Sequence, residues 1–305
     1  MESPEPAALA WTMPAPVSAG PAGLAVSAVV TQGQLQCVYQ NASPTLGVAA
    51  AGTSDGSTWG TPTAYAHPSS SLEAPGNISA ALFRGDIYCA AVSGYGPQPG
   101  PPIVAALSSS ATVTTLPDPS DDPTGSPTLV TFGEELFCFY RGGSGRVWWT
   151  STTDGQAWGP PVAVPGCRSA SDPAALSFNG RLYVAGSSMA TQAQLWTTSS
   201  PNGRSWRASS TACSVGGAPV PAAGPPGLAV FNGDLYCAVA ANVGSGSLVF
   251  LSTGDGLAWS TPTTVPEADV LPPARPSLLA FGIALYWFLP GTQDGGPLAM
   301  CSVLD

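Results

Sequence analysis

The sequence predicts an all-β protein, a six-bladed β-propeller of four-stranded antiparallel blades, with all 305 residues in one domain. Three observations carry this. A unit close to fifty residues long recurs along the chain. Each unit opens with two apolar runs across a short turn, as a β-hairpin does. The chain also joins 36 Gly and 33 Pro, a large supply of turns, to nine Trp and 44% hydrophobic residues. A disordered chain lacks that apolar mass, so many short strands joined by many turns is the better account.

The hairpins are the heads of the units. They read "LAVSAVVTQGQLQCVYQ" from Leu24, "ISAALFRGDIYCAAV" from Ile78, "PTLVTFGEELFCFYR" from Pro127, "AALSFNGRLYVAGS" from Ala174, "GLAVFNGDLYCAVA" from Gly227 and "SLLAFGIALYWFLP" from Ser277. A variable loop and a third strand follow, such as "VWWTST" or "LVFLST". A polar turn and a last strand then complete four strands per unit.

That turn repeats as "TSDGSTW" from Thr53, "TTDGQAW" from Thr152, "SPNGRSW" from Ser200 and "TGDGLAW" from Thr253. Its tryptophans, Trp59, Trp158, Trp206 and Trp259, are spaced by 99, 48 and 53 residues. The spacing of 99 holds two units, one of them degenerate near Ser108 to Pro117. Trp11 lies one period before Trp59 and ends a unit whose head is missing, whereas "PLAMCSVLD" begins a unit that lacks its tail. Residues 8–17 are therefore expected to supply the outer strand of the last blade, closing the ring and removing two sheet edges. The blades so defined span about 22–66, 76–117, 125–165, 173–210, 226–266 and 276–305.

The Asp-Gly turn is expected to be a structural joint. An Asp or Asn side chain satisfies turn amides, and Gly takes the positive φ that the turn needs. Cys37, Cys89, Cys138 and Cys237 share one register with Val184 and Trp287, which marks apolar packing. No CxxC or Cys/His cluster has metal-ligand spacing, and no metal or cofactor is expected. Cys167 and Cys213 lie in loops of neighbouring units and are expected to be free thiols.

Charged residues make up only 9% of the chain, Lys is absent, and the net charge is −10. That charge repels phosphate backbones and anionic membrane surfaces, so no nucleic-acid partner is expected. No run of 18 apolar residues exists for a membrane-inserted helix. The opening "MESPEPAALAW" has no basic or apolar leader segment, which gives a cytoplasmic expectation, with leaderless secretion as the alternative. The oligomeric state is left open.

Ligands are expected on the face formed by the second-to-third-strand loops and the blade connections, because these segments do not repeat. The third unit is the most suggestive. In "CFYRGGSGRVWW", Tyr140 and Arg141 end one strand, while Arg146 and Trp149 open the next across a Gly-rich loop. Aromatic rings and Arg in that arrangement suit a sugar ring and its hydroxyls. Trp148, in register with Trp196 and Val249, is expected in the core. Arg141 and Arg146 have a plainer alternative as solvated loop residues. Tyr95, His67 and Arg168, in neighbouring loops, complete the candidate set. The acidic "DPSDDP", Asp118 to Pro123, matches no EF-hand spacing and is expected to be a solvated loop.

"S/T-x-D-G-x-x-W" resembles the Asp-box of sialidases and other propellers. With "FNGRLYVAG" and "FNGDLYCAV", the chain is similar to six-bladed lectin-like propellers such as the fungal fucose-binding lectins. The resemblance implies a non-catalytic, glycan-binding protein. Those lectins repeat an Arg, a Glu and an aromatic between blades, and this chain repeats no such set. Three arginines with a Tyr/Glu pair, as a sialidase requires, cannot be identified either. Diverging loops on a repeating frame suit a single pocket instead. The alternative is therefore a cofactor-independent natural-product cyclase, a Diels-Alderase-like pericyclase, holding a small apolar ligand at the propeller axis.

Overall fold

A computed structural model describes residues 10–11, 15–17, 22–41, 48–65, 78–92, 100–107, 113–117, 120–207, 211–241, 248–264, 275–289 and 298–303. Antiparallel sheets account for the fold, and no helix occurs among these residues. Blade 1 runs through Ala22–Thr31, Gln34–Asn41, Val48–Thr53 and Thr63–Tyr65. Blade 2 runs through Ser79–Phe83, Asp86–Val92, Pro102–Ala106 and Thr114–Thr115. Blade 3 comprises Thr128–Phe132, Glu135–Arg141, Arg146–Thr152 and Val162–Arg168. Blade 4 comprises Ala174–Phe178, Arg181–Ser187, Leu195–Ser200 and Thr211–Ala212. Blade 5 comprises Gly227–Phe231, Asp234–Ala240, Leu248–Thr253 and Thr263–Thr264.

Five sheets, rather than the six expected, are therefore regular four-stranded blades. The remaining sheet departs from the pattern. Its strands Ser277–Phe281, Ala284–Leu289 and Leu298–Val303 are joined by Ala10–Trp11 and Ala15–Pro16, both paired with Leu298–Val303. It is five-stranded because its outer edge arrives in two short pieces from the other end of the chain. A proline inside a strand is tolerated at such an edge, where its missing N–H faces no partner. A separate two-stranded ribbon, Ser214–Val215 with Ala218–Pro219, lies between blades 4 and 5.

The core is a set of apolar layers between neighbouring sheets. Val38, Ala50, Ile78 and Cys89 join blades 1 and 2; Val104, Leu129 and Tyr140 join blades 2 and 3; Phe139, Trp149, Leu182 and Val184 join blades 3 and 4. Tyr183, Leu195, Leu235 and Cys237 join blades 4 and 5, and Phe231, Tyr236 and Trp287 join blade 5 to the closing sheet. Leu35, Tyr39, Tyr286 and Phe288 join that sheet back to blade 1. The register shared by Cys37, Cys89, Cys138, Val184, Cys237 and Trp287 is fully enclosed, with every member at 0% exposure. Burial is the main cause that raises these thiols, Cys89 to about 12, with Cys213 adding to it at Cys237 and Arg275 opposing it at Cys138, so they remain protonated packing groups. Among the described residues Cys167 and Cys213 form no disulfide, and they are buried in different layers.

The Asp-Gly turns are the joints of this frame. In blade 5 the Thr253 hydroxyl donates to Asp255 Oδ1 at 2.9 Å, and that oxygen accepts the Leu257 and Ala258 amides at 2.7 and 2.9 Å. The same bonds recur around Asp55, Asp154 and Asn202. The glycine of each turn lies against an aromatic of the preceding sheet: Gly56 on Tyr286, Gly155 on Tyr88, Gly203 on Phe137 and Gly256 on Tyr183. The tryptophan that follows packs on that same sheet, Trp59 edge-on to Phe288 and Trp206 edge-on to Phe139. Blade 2 lacks the Asp-Gly turn, and the matching position in blade 1 is Gln36 instead of an aromatic. Turn and aromatic are thus absent together.

Candidate functional site

Antiparallel order fixes which ends of the strands share a face. The first-to-second and third-to-fourth turns project on one face, and the second-to-third loops with the blade connections project on the other. On this second face blade 3 is held by contacts found nowhere else among the described residues. Asp121, in the connection entering blade 3, accepts the Ser144 amide at 3.0 Å and the Ser144 hydroxyl at 2.7 Å. It also accepts the Trp148 indole N–H at 2.9 Å. These bonds and the neighbouring Arg146 charge hold its carboxyl below the usual range, against the opposing effect of burial. Gly142 and Gly143 leave room for this connection to cross the loop.

Arg146 and Arg168 are cross-strand partners, and both are exposed. Arg168 donates to the Ser144 carbonyl at 2.7 Å, so the loop that Asp121 holds also orients this guanidinium. The two arginines flank a cleft of about 280 Å³ lined by Ala163, Val164, Pro165, Gly166 and Cys167.

Other members of the predicted set lie elsewhere. Tyr140 is completely buried and Trp149 is 7% exposed, so neither presents its ring to a ligand. Tyr140 fills the layer between blades 2 and 3, and Trp149 the layer between blades 3 and 4. Trp148, expected in the core, is half-buried: it packs against the layer between blades 2 and 3 with its N–H on the loop side. Arg141 is half-buried beside Asp172 and Gly125, its Nε enclosed without a partner. His67 and Tyr95 lie outside the described residues. Asp121 is committed to loop structure instead of being a solvated acid.

A second cavity, of about 300 Å³, follows the ring axis between the inner strands. Its walls are mostly apolar, with Val26, Ala80, Leu129, Ala175, Leu228 and Leu278 from successive sheets. Arg275, just before the innermost strand of the closing sheet, crosses this axis to the opposite side. Its guanidinium donates to the carbonyls of Ser126, Pro127 and Pro173 at 3.0–3.2 Å and to the Thr128 hydroxyl at 2.5 Å. Every acceptor is neutral. Burial lowers the Arg275 pKa from its ordinary value, and Asp172 opposes that shift. The sequence carries no signal for Asp172, and it marks Asp121 only as part of an acidic loop expected to be solvated. The one available signal for Arg275 was its place immediately before an inner strand, where a long side chain can reach only the axis or its rim.

Fold and site together define a β-propeller with one distinctive rim. No protein-family model matches the sequence, and no curated protein matches it. In structure it is similar to the GH93 α-L-arabinofuranosidase of Fusarium graminearum in complex with arabinobiose. The TM-score is 0.66 at 15% identity, over 96% of this chain and 97% of that one. It is also similar to a triple arginine-to-alanine mutant of AofleA from Arthrobotrys oligospora, with a TM-score of 0.65 at 12% identity, over 98% and 91%. A third similar structure is Trypanosoma rangeli sialidase with the inhibitor DANA, at a TM-score of 0.60 and 13% identity. That likeness covers 93% of this chain but only 55% of the sialidase. At these identities the likeness is one of fold.

Proposed function

We propose that the protein binds carbohydrate on the face where blade 3 is singular, and does so without catalysing a reaction. The observation that carries this reading is the loop Gly142–Gly145, which Asp121 fixes next to a cleft flanked by two exposed guanidiniums, while the same carboxylate holds the half-buried Trp148 indole at the loop. An aromatic surface beside forked donors suits a saccharide, whose faces are apolar and whose rim is hydroxylated. The similar structures with arabinobiose and a sialidase inhibitor lend support, since propellers of this shape hold sugars.

We read the closing sheet as a sixth blade and the Asp-Gly turns as Asp-boxes, on the strength of the continuous ring of apolar layers and the four matching turns. A small-molecule cyclase is the second reading. It has one observation in its favour, the mostly apolar axial cavity, but Arg275 crosses that space. A glycan array decides between them. Wild-type protein is expected to bind a restricted set of saccharides, and Asp121→Ala, which frees the loop, to lose at least about tenfold in affinity. Absence of binding to every glycan, or full binding by the variant, would remove the blade-3 site.

A further inference from the structure

We infer that the cleft in the outer edge of blade 3 is a site for an anionic group, so that the preferred saccharide carries a carboxylate or sulfate. The inference rests on the carbohydrate reading for its saccharide part and on independent geometry for its charge. The geometry begins with a register defect. Trp148 pairs with Ala163 and Arg146 pairs with Arg168. Between these pairs one strand has a single residue, Val147, whereas its partner has four, Val164, Pro165, Gly166 and Cys167. The surplus bulges outward through Gly166 at a φ of 67°, with Pro165 and Gly166 exposed. Bulges of this kind re-aim side chains and interrupt pairing. Here the bulge opens the cleft of about 280 Å³ and leaves Arg146 and Arg168 side by side at its mouth.

Cross-strand partners share a face of the sheet, and like charges placed there repel. The protein has only eight positive charges and a net charge of −10, so two arginines in adjacent positions need a reason. Neither takes part in an ion pair with another described residue. Among the described residues the ion pair found is Arg204–Glu135, on the opposite face. Asp121 is the carboxylate whose charge bears on Arg146, and it is already engaged by Ser144 and Trp148. Arg168 spends one N–H on the Ser144 carbonyl, which fixes the direction of its fork and leaves its other donors available. Two oriented guanidiniums over a concave floor form the donor set that a carboxylate or sulfate accepts in bidentate fashion. An anion held there would relieve the repulsion that the register imposes.

Titration calorimetry of the full chain can use four probes: a uronate tetrasaccharide, a sulfated tetrasaccharide, a neutral tetrasaccharide and sodium sulfate. The acidic saccharides are expected to bind best and to weaken with added salt. Arg146→Gln and Arg168→Gln should each weaken them by about tenfold or more, as loss of a charge-assisted fork does. Arg84→Gln, outside blade 3, is the control and should change nothing. If the neutral saccharide binds equally and both variants are silent, the anion site is overturned while carbohydrate binding stands. If sulfate binds and depends on both arginines but no saccharide binds, the carbohydrate reading falls and the anion site survives. Absence of binding by all four probes overturns both.

Discussion

The two faces of the propeller are built on different plans. On the face of the Asp-Gly turns, one joint is used four times, with the same side-chain bonds and the same contact to an aromatic of the preceding sheet. On the other face the distinctive features are single copies: Asp121 bonded under the blade-3 loop, Arg275 bonded across the axis, and the like-charged pair Arg146 and Arg168. Repetition marks the part of a propeller that must be the same at every junction. A ligand site has no such obligation unless valency is its purpose. The singular face is therefore where function is to be sought, and the repeated face measures what the frame alone requires.

The sharpest way to break this comparison is at Arg275. If single-copy contacts matter as much as the repeated joints, Arg275→Met should destabilise the whole ring. The substitution keeps length and apolar bulk but leaves the Ser126 and Pro127 carbonyls without the Arg275 donor and the Pro173 carbonyl with the Thr128 hydroxyl alone. A loss of about 3 kcal/mol is expected, the cost of several buried acceptors losing a charged partner. The midpoint of urea unfolding reads it. An unchanged midpoint would mean that the crossing carries no weight and that the axis is open to a ligand after all.

Glycine tests the repeated face. Gly233 and Gly256 belong to the same blade and have φ of 85° and 73°, so alanine meets comparable backbone strain at either. Their surroundings differ. A Cβ at Gly233 meets nothing within 4 Å, whereas one at Gly256 runs into Tyr183 of blade 4. Gly233→Ala should cost about 1 kcal/mol and Gly256→Ala about 2 kcal/mol or more. The difference isolates the inter-blade contact, and equal costs would show that the turn is not a joint.

The same contrast explains what could be read from the chain. Hairpin, Asp-Gly turn and enclosed Cys register are each written several times, so coincidence averages out and the propeller frame is legible. The aromatic that receives each turn, Tyr88, Phe137, Tyr183 or Tyr286, sits within the quoted hairpins. Its role was not, because a pairing between units leaves no local pattern. Blade 3 is legible only in outline. Loop position marks Arg146 and Arg168, both exposed, whereas Tyr140 and Trp149 in the same stretch are buried. The strand Glu135–Arg141 is buried on both faces, so Tyr140 has no exposed side, and the bulge at Pro165–Gly166 shifts the register that sequence spacing assumes. Arg275 acts across the ring, on residues more than a hundred positions away, and Asp121 acts on a loop at the far side of its own blade's first hairpin, pairings that no local pattern records.

The smallest effect lies in the charge of the turn itself. Asn202 makes the same bonds as Asp255, so blade 4 already shows that an amide oxygen suffices. Asp255→Asn should therefore be nearly neutral at pH 7. Asp255→Ala, which removes the acceptor, should cost about 1 kcal/mol, an amount limited by the exposure of the site to solvent. Acid separates charge from geometry. The Ala258 and Leu257 amides, with the Thr253 hydroxyl, hold the Asp255 carboxyl below its ordinary value. A group depressed in the folded state contributes its full stabilisation above the unfolded pKa of about 4 and loses it as pH falls towards the folded value. Wild-type protein should thus lose a little stability below about pH 4 that the Asn variant does not lose. Identical acid profiles in chemical unfolding would assign the whole effect to hydrogen-bond geometry. The repeated face would then be a device of shape alone, and charge would matter only on the face where Arg146 and Arg168 stand.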